Sequence, residues 1–243
     1  MVLVCFIVKK VISMIKDDVC VVIPAFNEEK RIIPTIRYLR TNGFNNIVVV
    51  DDGSSDNTVL VVDGLECLLI SNRVNMGKGF SVRNGLFYAL KSFSANFFLV
   101  YDADSSSKLN FFDDIDSYSE FDLLITSRNR PDSVVINDKP SRRFISKVFN
   151  LLVKLFLRLD YSDSQNGCVM FSRFFAEEFL VFGSVNGFCF TLDYLMLAEK
   201  YGFKIVEIPV TWVDTIDSRV RVVRDSFKMF LEVLKIRFKW GKI

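Results

Sequence analysis

The sequence predicts an α/β fold with a mostly parallel central sheet and helices on both faces, in a single domain. Three observations predict it. From Val19 onward, short β-branched runs alternate with segments of helical period, which is the pattern of strands joined by crossover helices. The chain has 243 residues, 50% of them apolar, enough to bury one large core. The early strand candidates run into polar or glycine-bearing loops, and in open parallel sheets the carboxyl ends of the strands form the ligand crevice.

Taken in order, the strand candidates are VCVVI (19–23), NIVVV (46–50), CLLI (67–70), FFLVY (97–101) and LLIT (123–126). A helix follows the first, with Pro34 either kinking it or marking its first turn. The clearest helix is 78–93, where Val82, Leu86, Ala89, Leu90 and Phe93 share one face and Arg83, Asn84 and Lys91 point away. RNRPDSVVINDKP (128–140) has two prolines and reads as a mobile loop before an amphipathic helix over 141–159. Next come a short strand CVMF, helices near 173–182 and 190–200, the strand KIVEIPV and a basic amphipathic helix over 222–240. The expected organisation is an N-terminal extension or weak anchor (1–18), the α/β domain (19–215) and a basic C-terminal segment (216–243) suited to a membrane surface. The 141–159 helix, with Lys147, Lys154 and Arg158 among apolar residues, is a second candidate for that surface.

Composition excludes several chemistries. There is no histidine, which removes Ser-His-Asp and Cys-His mechanisms, His-ligated zinc and the commonest general base. Catalysis must then rest on carboxylates, arginine, lysine and a metal. A net charge of +2 gives no global signal for nucleic acid, and none is expected as a partner. The five cysteines are scattered without a C-x-x-C pair, as in reduced, buried thiols of a cytosolic compartment. No run reaches the eighteen apolar residues of a spanning helix: VLVCFIV stops at Lys9, and VFNLLVKLFLRL is cut by Lys154 and Arg158.

The strand ends carry the candidate site. Pro24, Ala25, Phe26, Asn27, Glu28 and Glu29 follow the first strand, Asp51-Asp52-Gly53-Ser54-Ser55-Asp56 the second, Asn75, Gly77, Lys78 and Gly79 the third, and Asp102 and Asp104 the fourth. Alone, each is also a turn or a helix cap. Together, at consecutive strand ends, they describe a nucleotide site. Asp102 and Asp104 can present both carboxylates to a Mg²⁺ or Mn²⁺ that bridges them to a diphosphate. Lys78 supplies a point charge for a phosphate, with backbone N–H groups freed by Gly77 and Gly79. Asp51 or Asp52 can accept from a base N–H or a ribose hydroxyl.

VVIPAFNEE, VVVDDGSSDNT, NMGKGFSVRNG and YDADSSS resemble, in order and spacing, the motifs of family 2 glycosyltransferases of the GT-A fold, from Val19 to about Trp240. TSRNR, SRRFISKVFNLLVKLF, DSQNGCVMFSR and LDYLMLAEKYGFKIVEIPVTW are similar to the group that moves a hexose from a nucleotide sugar to dolichyl or polyprenyl phosphate. DSQNGCVMF and the VTW after the late strand lean toward the dolichyl-phosphate β-glucosyltransferases. The family usually has tyrosine where Phe26 stands, so a hydroxyl contact is lost while stacking is kept.

The resemblance implies a nucleoside site at Pro24, Ala25, Phe26, Glu28, Asp51 and Asp52, with Lys78 near the diphosphate. It implies a metal, Mg²⁺ or Mn²⁺, at Asp102 and Asp104, and an acceptor-phosphate site at Arg128, Arg142, Arg143 and Ser146. Asp102, Asp104, Arg128 and Arg142 are the expected catalytic set. The expected reaction is inverting transfer, with UDP-glucose favoured as donor and GDP-mannose as the alternative. The protein is expected to be peripheral, on the cytoplasmic face of a membrane: the endoplasmic reticulum in a eukaryote, the plasma membrane in a prokaryote, with a membrane subunit as a further partner. A phosphate acceptor is already largely dianionic at neutral pH and needs no base. A sugar hydroxyl would need one, with Asp163 and Asp193 the nearest candidates. A sugar-phosphate nucleotidyltransferase would carry a glycine-rich, arginine-containing loop after the first strand, which PAFNEE lacks. A non-catalytic nucleotide-sugar-binding protein would have lost some of the strand-end motifs, which are intact.

Overall fold

The computed structural model describes residues 16–118, 120–137, 140–214 and 222–241. Residues 1–15, most of the expected N-terminal extension, lie outside the described residues. In chain order the strands are β1 (Val19–Ala25), β2 (Asn46–Asp51), β3 (Leu68–Ser71), β4 (Phe97–Val100), β5 (Leu123–Ser127), β6 (Val134–Ile136), β7 (Val169–Ser172), β8 (Ile205–Pro209) and β9 (Thr211–Val213). The helices are α1 (Ile32–Thr41), α2 (Thr58–Val62), α3 (Lys78–Ser92), α4 (Pro140–Leu157), α5 (Arg173–Phe182), α6 (Phe190–Tyr201) and α7 (Val222–Trp240), with a 3₁₀ stretch at Leu109–Ser117.

Seven strands form one sheet in the order β3-β2-β1-β4-β7-β5-β8. All neighbours pair in parallel except β7, which is antiparallel to both β4 and β5. β1 is buried along nearly its whole length, because helices cover both faces of the sheet, so its sequence reads as a continuous apolar run. Successive residues feed different cores: Cys20, Val22, Val48 and Val50 pack with α3, α5 and α6, and Val19, Val21, Ile23 and Val49 with α1 and the 3₁₀ stretch. Pro34 falls in the first turn of α1, where its missing N–H breaks no intrahelical bond.

Two segments differ from expectation. The 128–140 stretch, expected to be only a loop, contains β6, whose run of β-branched residues pairs with β9. The expected late strand KIVEIPV (204–210) contains β8 of the main sheet, but just beyond it the chain adds a strand that was not expected, β9, which enters the small β6-β9 sheet.

The sheet order places the site. β1 sits between β2 and β4: the chain steps outward from β1 to β2 and β3 on one side and then crosses back to β4 on the other, so a crevice opens beyond the carboxyl ends of β1 and β4. Because β7 runs antiparallel, the residues that precede it reach the same edge.

Candidate active site

The loops after β1 and β2 are laced together. Asn27 takes a left-handed backbone conformation with φ 57°, and its Oδ1 accepts from Ser55 N at 2.7 Å. Its own N–H donates to Ser54 Oγ at 2.8 Å, and Glu28 N donates to Thr58 Oγ1 at 2.7 Å. Ala25 is buried beneath, and the Phe26 ring stands 40% exposed at the rim, as a stacking surface for a planar ligand requires. The Glu28 carboxylate receives Arg31 at 2.6 and 2.7 Å, so its charge is paired just before α1 begins.

The two adjacent aspartates separate clearly. Asp52 accepts at Oδ1 from Asn72 Nδ2 and Met76 N, both at 2.9 Å, and at Oδ2 from Gly77 N at 2.8 Å. It braces the loop that leads into α3. Asp51 accepts at Oδ2 from Gly53 N and Ser54 N at 3.2 Å, while its Oδ1 is buried with no hydrogen-bond partner. A buried acceptor left open is costly, and it marks where a ligand N–H or O–H would fit. Of the alternatives Asp51 and Asp52, the structure leaves acceptor capacity at Asp51.

The α3 N-terminus corrects one expectation. The backbone N–H groups around Gly77 and Gly79 are not open to a phosphate: Gly77 N bonds Asp52, and Gly79 N and Phe80 N bond Asn186 O at 2.7 and 3.2 Å. The glycines serve close approach instead. A Cβ on Gly77, whose φ is +97°, would lie 2.4 Å from Asn186 O, and one on Gly79 would lie 2.3 Å from Val185 O.

Lys78, the first residue of α3, reaches Asp102 Oδ1 at 2.5 Å, with side chains 23% and 30% exposed. Burial alternates after β4, with Tyr101 and Ala103 inside and Asp102 and Asp104 half-buried, so both carboxylates leave the core on the crevice side. Asp104 Oδ1 accepts from Ser106 N at 3.0 Å. Ser105 Oγ reaches Thr35 Oγ1 at 2.8 Å, which pins the turn to α1. Among the described residues no group of three or more Cys, Asp or Glu side chains could hold a metal ion. The donor set still fits a hard divalent cation of the Mg²⁺ type, which binds through one or two carboxylates and completes its shell with phosphate oxygens and water. Gly167 leaves space beside Asp102: a Cβ there would come within 2.7 Å of both carboxylate oxygens and of Lys78 Nζ.

Arg128 follows β5 at the same edge. Its Nε and Nη2 donate to Asp163 at 2.6 and 2.9 Å, its backbone N–H donates at 3.1 Å, and its guanidinium lies 5.4 Å from the Trp212 ring. The Asp163 side chain is fully buried. Burial pushes its carboxyl up, but the Arg128 charge and the hydrogen bonds from Arg128 and the Gln165 amide outweigh that and hold it below the usual carboxylate range. Asp193 is equally committed. It accepts from Ser184 N at 2.6 Å, Val185 N at 3.1 Å, Trp240 Nε1 at 2.7 Å and Lys239 Nζ at 3.1 Å.

Ser146 is half-buried on α4, whereas the side chains of Arg142 and Arg143 lie outside the described residues. Pro24, Ala25, Phe26, Asp51, Lys78, Asp102, Asp104 and Arg128 therefore gather at one edge. Gly167, Asn166, Trp212 and the Asn186 carbonyl join them without having been singled out by the sequence. Asn166 is buried, with its Nδ2 unpartnered. The sequence cues for that group were the DSQNG stretch, which holds Asn166 and Gly167, and the VTW that holds Trp212.

Carboxylates, a lysine and an open buried acceptor thus stand at the strand ends of a GT-A-like sheet, the fold of a class of glycosyltransferases. The chain belongs to glycosyl transferase family 2, whose model matches residues 20–180. Among its relatives is the dolichyl-phosphate beta-glucosyltransferase ALG5C of Trichomonas vaginalis, 27% identical, with 88% of this chain and 69% of that protein covered. The dolichyl-phosphate beta-glucosyltransferase of Saccharomyces cerevisiae is 27% identical over 90% of this chain and 74% of its own. An uncharacterized protein of Methanocaldococcus jannaschii is 29% identical over 90% and 92%. The fold matches glucosyl-3-phosphoglycerate synthase of Mycobacterium tuberculosis, solved with Mn²⁺, UDP and glucosyl-3-phosphoglycerate, at a TM-score of 0.66 and 16% identity, covering 93% of this chain and 80% of that one.

Proposed function

We propose that the protein transfers glucose from UDP-glucose to dolichyl or polyprenyl phosphate with inversion, as a peripheral enzyme on the cytoplasmic face of a membrane. The observation that carries the choice of acceptor is the state of Asp163 and Asp193. Both carboxylates that would serve a hydroxyl acceptor as base are fully buried and hydrogen-bonded, and Asp163 is held in its weakly basic, ionised form by Arg128. A phosphate acceptor brings its own negative charge, since its second pKa lies near ~6. The named activities of the Trichomonas and yeast relatives support the same acceptor and sugar.

In this reading Phe26 stacks on the base and Asp51 Oδ1 accepts from it. Asp102 and Asp104 hold the divalent cation, Mg²⁺ or Mn²⁺, for which the solved complexes of the structural neighbour give support. A cation held by those two carboxylates would supply charge neutralisation for the diphosphate. Lys78 moves from Asp102 to the diphosphate as a second cation. Arg128, anchored by Asp163 beside the Trp212 ring, holds the acceptor phosphate together with Arg142, Arg143 and Ser146. Attack on the anomeric carbon opposite the leaving group converts an α-linked donor into a β-linked lipid sugar.

The test is incubation of purified protein and Mn²⁺ or Mg²⁺ with dolichyl phosphate and, in parallel, labelled UDP-glucose or GDP-mannose. Label from UDP-glucose alone should enter the organic phase. Label from GDP-mannose alone would replace the sugar, and donor consumption only with soluble sugars would replace the acceptor class.

A further inference from the structure

The outward face of α4 is apolar where a helix packed on a sheet should be polar. Val148, Leu151, Leu155 and Phe156 are 44, 57, 68 and 36% exposed, and the first three recur at i, i+3 and i+7 along one stripe. The opposite face packs inward through Val153 and Leu157 and through Asn150, which bonds Ser162 O at 3.2 Å and Ser164 Oγ at 3.1 Å. Those serines flank Asp163, the partner of Arg128. The stripe continues onto α7, where Phe230 meets Phe156 edge to face at 6.0 Å and Leu231 is 43% exposed. α7 packs on the core through Val233, Ile236 and Trp240, while its outer side also exposes Phe238 at 86%.

Charge selects the occupant. The sequence of α4 holds Arg142, Arg143, Lys147 and Lys154 and no acidic residue; Lys154 pairs with Asp160 at 2.6 Å, and Lys147, Lys228 and Lys235 are exposed beside the apolar stripe. An apolar stripe rimmed by cations matches an anionic lipid leaflet, where the side chains enter the acyl boundary and the ammonium groups meet the headgroups. Among the described residues no helix is long and apolar enough to cross a membrane.

We infer that the α4 stripe, continued by Phe230 and Leu231 of α7, lies on an anionic membrane surface and sets the acceptor end of the crevice against the bilayer. The inference deepens the lipid-phosphate reading and takes its choice of partner from it. The inward face of α4 thereby holds the Ser162–Ser164 segment behind Arg128 through Asn150, while the outward stripe touches the lipid in which the acceptor is embedded.

The test is sedimentation of the full chain with phosphatidylcholine vesicles, with and without phosphatidylserine, comparing wild type with Leu151→Ser/Leu155→Ser. Wild type should bind the anionic vesicles, less so at high salt, and the variant at least about tenfold more weakly, with an unchanged melting temperature. Both proteins should use a short, water-soluble prenyl phosphate equally well without vesicles. Equal vesicle binding by both proteins, or none by wild type, overturns the inference. A concentration-dependent dimer lost in the variant, without vesicle binding, would make the stripe an interface between copies and overturn it too. If the variant loses vesicle binding while neither protein uses the soluble acceptor, the membrane face stands and the proposed reaction fails.

Discussion

Arg128 and Asp163, 35 residues apart in sequence, form a bidentate ion pair with N–O distances of 2.6 and 2.9 Å. One partner is fully buried and the other 20% exposed. The pair joins the end of β5 to the segment before β7. Removing the cation leaves a buried carboxylate uncompensated, so Arg128→Ala should cost about 3–5 kcal/mol of stability. Urea unfolding measures this, and an unchanged midpoint would show that the carboxylate finds other compensation.

The same pair sets a pH dependence. Burial raises the Asp163 carboxyl, but Arg128 and the amide donors lower it by more, so the folded value lies below the unfolded one. A depressed carboxyl contributes stability above the unfolded value of about 3.9 and loses it as pH falls through the folded value. The urea midpoint should therefore drop as pH is lowered below about 4. Asp163→Asn should be less stable at neutral pH and show a shallower acid slope; an identical slope would assign the acid loss to other carboxylates.

Asp104→Ala should abolish transfer while the fold survives, because Asp104 is half-buried beyond β4 and outside the sheet ladder. Circular dichroism checks the fold, and Mn²⁺ titration in the presence of UDP checks the metal. Full activity, or undiminished Mn²⁺ binding, would remove Asp104 from the proposed metal site.

Lys78 places a positive charge 2.5 Å from Asp102 Oδ1, where it opposes entry of a second cation. Lys78→Ala should tighten Mn²⁺ binding to the nucleotide-free protein by about tenfold and weaken UDP binding. Electron paramagnetic resonance of free Mn²⁺ reads the first, calorimetry the second. If neither changes, the ion pair is structural only.

The open, buried Oδ1 of Asp51 makes a sharp substitution available. Asp51→Asn keeps one oxygen for the amides of Gly53 and Ser54 and puts an NH₂ where the open acceptor was. UDP affinity should fall by roughly ten- to a hundredfold, since a lost hydrogen bond and an opposed donor together cost about 1.5–3 kcal/mol. Calorimetry with UDP and with inorganic diphosphate separates the base contact from the phosphate contact, and only the former should change.

Much of this architecture is written locally. The runs VCVVI, NIVVV and FFLVY are apolar throughout because both faces of a central strand are covered, so a linear pattern suffices to find them. The polar loops behind them follow directly in the chain, which is why Phe26, Asp51, Lys78, Asp102 and Asp104 were legible as one edge. The small β6-β9 pair was not, since three-residue strands carry too little pattern to separate from a loop.

What the sequence determined by itself is the α/β alternation, the strand-end carboxylates and the absence of a histidine base, all properties of residues close together in the chain. Only the tertiary structure decided that Asp51 keeps an open acceptor while Asp52 braces a loop. It also decided that Arg128 is paired with Asp163, and that α4 turns an apolar stripe outward. For Arg128 the reason is the reversed direction of β7. An antiparallel strand brings Asp163, Asn166 and Gly167 to the edge where the parallel strands end, and strand direction leaves no mark on a four-residue apolar run.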